Sequence, residues 1–479
     1  MKKMLSSIPL LFLLFNASIE TRGEDFCVDS ATEIQNALTT AEANSVDDTV
    51  QIVKGTYYGT FSFHSTMGNR ITVQGGYEKV NSECQFPSPP PPPSETILDG
   101  ASSGRVLKVE EYSGGNIVVE GLTIRNGDTI AYGMVEGDGG GLSVLAHNYS
   151  GNAGDVTISN NIIEENKAYR FGGVYADSYS TEDASGAVTL TDNIIRNNLA
   201  TTDTGGAQVR SQTGTFTYAG QSGDITIFNN IIMDNTAANG NSGGLKVYSQ
   251  GGSGTGTVMV SSNIITGNSS SSYSGGACIY SHPYSGPFGN VVLTNNIITD
   301  NESSDVVGGL YIWSKGNYDA EVLGPGSVTF THNTLSGNSA PVSALGGGLR
   351  LEGPPNSGIL NVYNNVIWGN TAPTGGDIFL TGFQITNGCN NDYSVMSGSW
   401  DSESDNINQN PYFTGGGDYH LKPNSLCVDA GTAGAPALPA TDIDGEDRIK
   451  GRAPDMGAYE MEPDFYWPMF MPAITGKHK

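Results

Sequence analysis

The residues with the widest chemical scope in this chain recur once per repeat. Tyr280, His282, Trp313 and Lys315 fall on what should be adjacent strands, and Tyr280, His282 and Lys315 together offer an acid/base set for proton abstraction or hydrolysis. A longer series surrounds them at matching positions of successive repeats. It reads Tyr175, Gln208, Lys246, Cys278, Tyr311 and Arg350, then Asp177, Arg210, Tyr248, Tyr280, Trp313 and Glu352, then Gln212, Gln250, His282 and Lys315. These positions alternate with apolar ones and should face solvent on one flat sheet. Aromatic faces stack on apolar ring faces, and Gln, Arg and Lys donate to hydroxyls or carboxylates. The expected ligand-binding set is Tyr175, Arg210, Lys246, Tyr248, Tyr280, Tyr311, Trp313 and Arg350. Cross-strand packing explains the same pattern, since aromatic neighbours stabilise a sheet by about 0.2–1 kcal/mol per pair.

Two other chemistries are weaker. Asp442-x-Asp444-Gly with Asp447 has the opening of a calcium loop but lacks its later ligands, so calcium is the one cofactor suggested and a turn held by Asx hydrogen bonds is the plainer reading. Acid hydrolysis by paired carboxylates needs two positioned acids, and no neighbouring repeats supply them.

The elements that must position these residues are legible as a repeat. Gly pairs fall at 140/141, 172/173, 205/206, 243/244, 275/276, 308/309, 347/348 and 375/376, separated by 28 to 39 residues. Asn161, Asn193, Asn230, Asn263, Asn296, Asn333 and Asn365 form a second register, with Asn166, Asn198, Asn235, Asn268, Asn301, Asn338 and Asn370 each five residues later. Between them lie alternating strands such as Leu245/Val247 and Val258/Val260, and an Ile-Ile pair. Three short strands per coil of about 33 residues, with no ten-residue helical period, predict an all-β parallel β-helix. The Asn registers should stack as hydrogen-bonded ladders, and the Gly pairs should permit tight corners.

The ends differ from the middle. Met1–Asn16 carries Lys2 and Lys3 before the apolar run Ile8–Phe15, the pattern of a secretory signal peptide assigned to residues 1–23. Ser30-Ala-Thr-Glu33 is a capping box followed by Ile34, Ala37, Leu38 and Ala41 at helical spacing, which predicts a helix sealing the first coil. Pro87–Pro93 is a polyproline loop that must protrude. The expected organisation is 24–113 for the cap and first coils, 114–385 for the repeats, 386–460 for a C-terminal domain and 461–479 for an apolar tail. Phe465–Ile474 in that tail suits either capping of the last coil or recognition by sorting or anchoring machinery.

An exported chain tolerates disulfides, and five cysteines leave one over. The expected pairs are Cys27–Cys84 and Cys389–Cys427, with Cys278 free. The net charge of −27, without Lys or Arg clusters, argues against nucleic acid and anionic membrane as partners. No later segment is apolar enough for a helical membrane span.

The start, from Cys27 through Gly75-Gly-Tyr77, resembles secreted right-handed β-helix proteins of the pectate-lyase-like superfamily. The Gly-Gly-Ala/Leu stations and Phe330-Thr-His-Asn333 resemble the GGA and FxxN repeats of polymorphic outer-membrane proteins. The segments Asp418–Pro423, Cys427–Gly431, Asp442–Gly445 and Asp455–Glu460 are similar to the choice-of-anchor Q domain. Arg448-Ile-Lys450 matches a stretch used by polygalacturonases but stands without their accompanying aspartates and His. The resemblance implies a right-handed β-helix with an N-terminal helical cap, exported by a bacterium to its surface or surroundings. The role expected is non-catalytic contact with a polysaccharide or another cell-surface component; the alternative is a polysaccharide lyase, epimerase or hydrolase.

Overall fold

A computed structural model of the chain describes residues 23–130, 139–214, 220–284, 286–314, 326–340, 344–353 and 358–462. The expected signal peptide and apolar tail lie outside the described residues. Among the described residues no helix is long and apolar enough to cross a membrane.

Three long parallel sheets wrap a single apolar core, with the right-handed sense that parallel crossovers take. A typical coil runs Leu245–Gly251 in the third sheet, Val258–Ser261 in the first and Ile264–Thr266 in the second. Each pairs in register with its equivalent one coil later: Leu245 with Ala277, Val258 with Val291 and Ile264 with Ile297. The inward side chains of all three sheets are fully buried, so apolar burial supplies the cohesion that each coil lacks alone. The structure adds an element to the three expected strands. Five coils carry a two-residue strand, such as Ser269–Ser270, in a short fourth sheet.

Both Asn registers form continuous ladders. Each amide nitrogen donates to the side-chain oxygen of the next rung at 2.9–3.1 Å, from Asn161 through Asn365 to Asn391 and Asn406. The second ladder runs from Asn166 to Asn370 and ends on the Asp377 carboxylate. The Gly pairs belong to that ladder. A Cβ on Gly244 would lie 3.0 Å from the Asn268 side chain and 2.6 Å from the Gly276 carbonyl oxygen, so the residue is small because another backbone and an amide occupy the space. Close approach, more than corner flexibility, accounts for the pair.

The helix α1 (Ala31–Ala43) buries Ile34, Ala37, Leu38 and Ala41. Ser30 Oγ accepts from Glu33 N at 3.2 Å, while the Glu33 carboxylate accepts from Asp29 N at 3.0 Å. Gln35 exchanges hydrogen bonds with Ser62 N and O, and Glu42 accepts from His64 N. The helix thus satisfies the open edge of Phe61–Ser65, the first strand of the third sheet. Cys27 and Cys84 form a disulfide that ties the first strand to the arm Glu83–Gln85.

At the other end the coil stacking continues past the boundary expected at residue 385. Ile385–Cys389, Asp392–Tyr393, Met396–Ser397 and Ser402–Ser404 extend the three sheets. Beyond them a hairpin, Phe413–Gly415 with Asp418–Leu421, opens a strap that runs back along the outside of the β-helix. It docks on the corner after the first sheet, where Asn295, His332, Asn364 and Asn390 sit at φ of 54–59°. Asn295 Nδ2 donates to Thr441 O at 2.7 Å, Asn390 Nδ2 donates to Ala430 O at 2.9 Å, and Asn364 bonds both N and O of Thr432. Arg448 of the Arg-Ile-Lys stretch is buried here. It donates to Asn295 Oδ1 at 2.6 Å and to the carbonyls of Gly457 and Ala458, a docking role.

The expected Cys389–Cys427 bridge is absent: both are buried free thiols, as is Cys278. Cys427 donates instead to the Asp392 carboxylate at 3.2 Å. Position near one end of the chain did not make the two sulfurs partners, because Cys389 ends a coil strand and Cys427 packs in a separate small cluster where the strap's Leu421 and Met456 meet Val366 of the coils.

Candidate functional site

The outer face of the third sheet carries the expected series in strict register. Tyr175, Gln208, Lys246, Cys278, Tyr311 and Arg350 pair one to the next, as do Asp177, Arg210, Tyr248, Tyr280, Trp313 and Glu352. The first row does not all face solvent. Tyr175, Gln208, Cys278 and Tyr311 are buried, as are Asp177, Gln250 and Glu352 in the rows beside them, and turns before the Gly pairs cover part of the face: Phe171 stacks on Tyr175 at 4.5 Å and Tyr273 on Tyr311 at 6.3 Å. Alternation shows which face a residue takes, and says nothing of what a neighbouring turn lays over it.

Between the covered stretches lies a cavity of about 210 Å³ around Arg210, lined also by Arg170, Asp203, Gln208, Lys246, Tyr248 and Gln250. Arg210 donates to the Tyr175 hydroxyl at 2.9 Å and to Gln212 Oε1, and Tyr175 donates to Asp177 Oδ2 at 2.9 Å. Burial disfavours the Arg210 charge, but Asp177 together with Tyr175 and Tyr248 outweighs it, and the guanidinium is held above its ordinary pKa. Lys246 Nζ pairs with Asp203 Oδ1 at 2.7 Å and lies 6.0 Å from the Tyr280 ring centre. Arg210 sits 5.7 Å from the Tyr248 ring centre. The arrangement holds cations rigid beside ring faces, which suits binding of an anionic, ring-bearing ligand.

Further along, Arg350 lies over Tyr311 and Phe379 and pairs with Glu352. Trp313 stacks on His282 at 5.3 Å and meets Tyr280 edge-on at 5.5 Å. Of the expected acid/base set, Tyr280 and His282 come together. Lys315 lies outside the described residues. Burial, with the Cys278 sulfur beside it, pushes the Tyr280 phenol far up, so it stays protonated.

The three aspartates of the calcium-like turn do not converge. Asp442 accepts from the amides of Asp444, Glu446 and Glu460 and so organises the turn. Asp444 pairs with His420 at 2.9 Å, and Asp447 is exposed. Among the described residues no group of three His, Cys, Asp or Glu side chains is placed to hold a metal ion.

Sequence reading missed Arg170 and Asp203, which reach the cavity from turns. Their signal was position: Arg170-Phe and Asp203-Thr each immediately precede a Gly pair. It also began the Gln212 row two coils late, since His147 pairs in register with Tyr179 and Tyr179 with Gln212.

No family model matches the chain, and no curated protein matches it. Among solved structures it is similar to pectate lyase Pel9A at 13% identity, covering 88% of this chain and 90% of that one, with a TM-score of 0.43. It is also similar to the PL6 family alginate lyase AlyGC at 10% identity, over 88% of this chain and 60% of that one, with a TM-score of 0.31. A mannuronic-acid-specific polysaccharide family 6 lyase from human gut microbiota shows 12% identity over 82% and 92% of the two chains, at a TM-score of 0.25. Such values bear on neither ligand nor mechanism.

Proposed function

We propose that the chain is an exported, non-catalytic glycan-binding protein whose third sheet takes an acidic polysaccharide along its length. The observation that carries this is the Arg210 cavity, where two cations are fixed by Asp177 and Asp203 beside the rings of Tyr248 and Tyr280. A carboxylated sugar would meet preorganised donors and a stacking face in this cavity, with neighbouring rungs about 4.8 Å away. Binding is favoured over turnover because a general base must shed its proton near working pH. Arg210 and Tyr280 are both held protonated, and Lys246 is tied to Asp203. The alternative, a lyase, epimerase or hydrolase, would centre on His282 against Trp313.

The deciding experiment incubates the mature protein with acidic and neutral polysaccharides, with and without calcium, and follows their chain length. Binding of an acidic polymer without shortening or new unsaturated ends supports the proposal. Shortening of any polymer that is lost in His282→Ala establishes an enzyme and overturns it.

A further inference from the structure

A second aromatic cluster lies on the same sheet, on the coils before the cavity. Tyr112 and Tyr149 stack at 5.9 Å with their rings 16° apart. His147 meets Tyr112, Tyr149 and Tyr179 edge-on at 5.5, 6.4 and 5.4 Å, and His64 lies 5.1 Å from Tyr112. Tyr149 is 56% exposed and the His64 side chain 60% exposed, while Tyr112, His147 and Tyr179 are half-buried beneath them. The first strands of the sheet set their spacing, because His64 pairs in register with Glu110 and His147 with Tyr179. From His64 to Tyr179 is three rungs, about 14 Å.

The cations beneath this cluster are fewer than at the cavity, where Arg170, Arg210 and Lys246 stand with Asp203. Glu110 is buried and accepts from both Lys108, at 2.7 Å, and His64, at 3.1 Å, so that lysine is already engaged. Asp177 is buried, and its Oδ2 faces His147 Nε2 at 3.3 Å on the platform side and the Tyr175 hydroxyl on the cavity side. The other oxygen of Asp177 and Nδ1 of His147 have no protein partner. Rings over buried carboxylates, with one lysine beside them, disfavour an anionic sugar and leave the exposed ring faces for a neutral one.

We infer that His64, Tyr112, His147, Tyr149 and Tyr179 form a stacking platform for neutral pyranose units. The sheet as a whole then takes a heteropolysaccharide in which a neutral stretch adjoins an acidic one, with Asp177 at the seam. The platform stands on its own residues; only the acidic half rests on the cavity reading above.

The test is calorimetric titration of the full mature chain with neutral β-1,4-linked hexasaccharides of glucose and of mannose, and separately with a homopolymeric oligouronate. Tyr149→Ala removes an exposed ring without touching the core, and Tyr179→Ala with retained circular dichroism serves as the second variant. Both should weaken neutral binding at least tenfold and leave uronate binding within twofold. Lys246→Gln should do the reverse. Neutral affinity unchanged in both Tyr variants, or no neutral binding by the intact chain at millimolar ligand, overturns the platform. Loss of uronate binding alone, with Tyr149-dependent neutral binding intact, would refute the cavity reading and keep the platform.

Discussion

The two Asn ladders and the outer columns of the third sheet are built the same way, with one residue per coil in strict register, yet they differ in composition. Along the first ladder every rung from Asn161 to Asn391 is the same residue, buried and bonded to its neighbours. Along the sheet the column changes at each step, from Asp177 to Arg210, Tyr248, Tyr280 and Trp313. A rung whose only task is to join its neighbours has one best solution. A column that varies while keeping register is not fixed by one ladder bond, even where its side chains pack on each other, as Arg210 does on Tyr248 and Tyr280 on Trp313.

The sharpest way to break this contrast is to interrupt a ladder. Asn263 donates to Asn296, to Ile227 O and to Ser261 O, and its oxygen accepts from Asn230. Asn263→Leu leaves several buried groups unpaired at about 1–3 kcal/mol each before relaxation, so a loss of roughly 3 kcal/mol is expected in urea unfolding. A loss below about 1 kcal/mol would mean the ladder is decoration.

Next in size is the strap. His332 is buried and held well below its ordinary pKa, first by burial and then by the Arg448 charge. A depressed imidazole is neutral in the fold and protonated in the unfolded chain below about pH 6.5. Its contribution is therefore present above that pH and lost as pH falls, by at most about 1.4 kcal/mol per pH unit. Asp455 and Glu460 nearby, raised by burial to about 6 and about 7, have the opposite sign, because their extra proton stabilises the fold at lower pH. The expected result is thus a difference: wild type minus His332→Asn, measured by protease nicking of the strap, should decline between pH 7 and pH 5. A flat difference would show that His332 does not report on docking.

The strap also marks where sequence reading stopped. The coil period, the helix face Ile34, Ala37, Leu38 and Ala41, and the rungs through Asn365 were all legible, because each follows from local spacing. Asn160, Asp192 and Asn229 occupy the same left-handed corner as Asn295, Asn364 and Asn390, but only the latter are covered by chain from more than a hundred or as few as forty residues away. Nothing local distinguishes them. The same holds for Tyr175 and Tyr311, whose burial depends on turns laid over the sheet, and for Cys389 and Cys427, whose separation is a tertiary fact.

On the sheet face, Lys246→Gln replaces the cation of a largely covered ion pair with a neutral donor to Asp203 and should cost less stability than Asn263→Leu. Its effect on acidic-glycan affinity should be at least tenfold. That ratio, small on folding and large on binding, is the inverse of the Asn263 result and is what the contrast requires. Equal effects on both would make the column structural.

The smallest effect expected is at the strap's hairpin. His420 lies between Asp418 and Asp444, at 2.6 and 2.9 Å, and stacks on Tyr459 at 3.7 Å. Burial lowers its pKa, but the two carboxylates outweigh this and the net shift is upward. A raised imidazole contributes fully below the unfolded value and loses that contribution as pH rises through the folded one. Asp444→Asn should therefore loosen hairpin amides in hydrogen exchange at pH 6 and leave them unchanged at pH 9. The residue is solvated enough that the change should be confined to the hairpin, without moving the coils. Should the coils respond as well, strap and ladder would be one cooperative unit, and the distinction between a joining row and a recognising one would have to be drawn elsewhere.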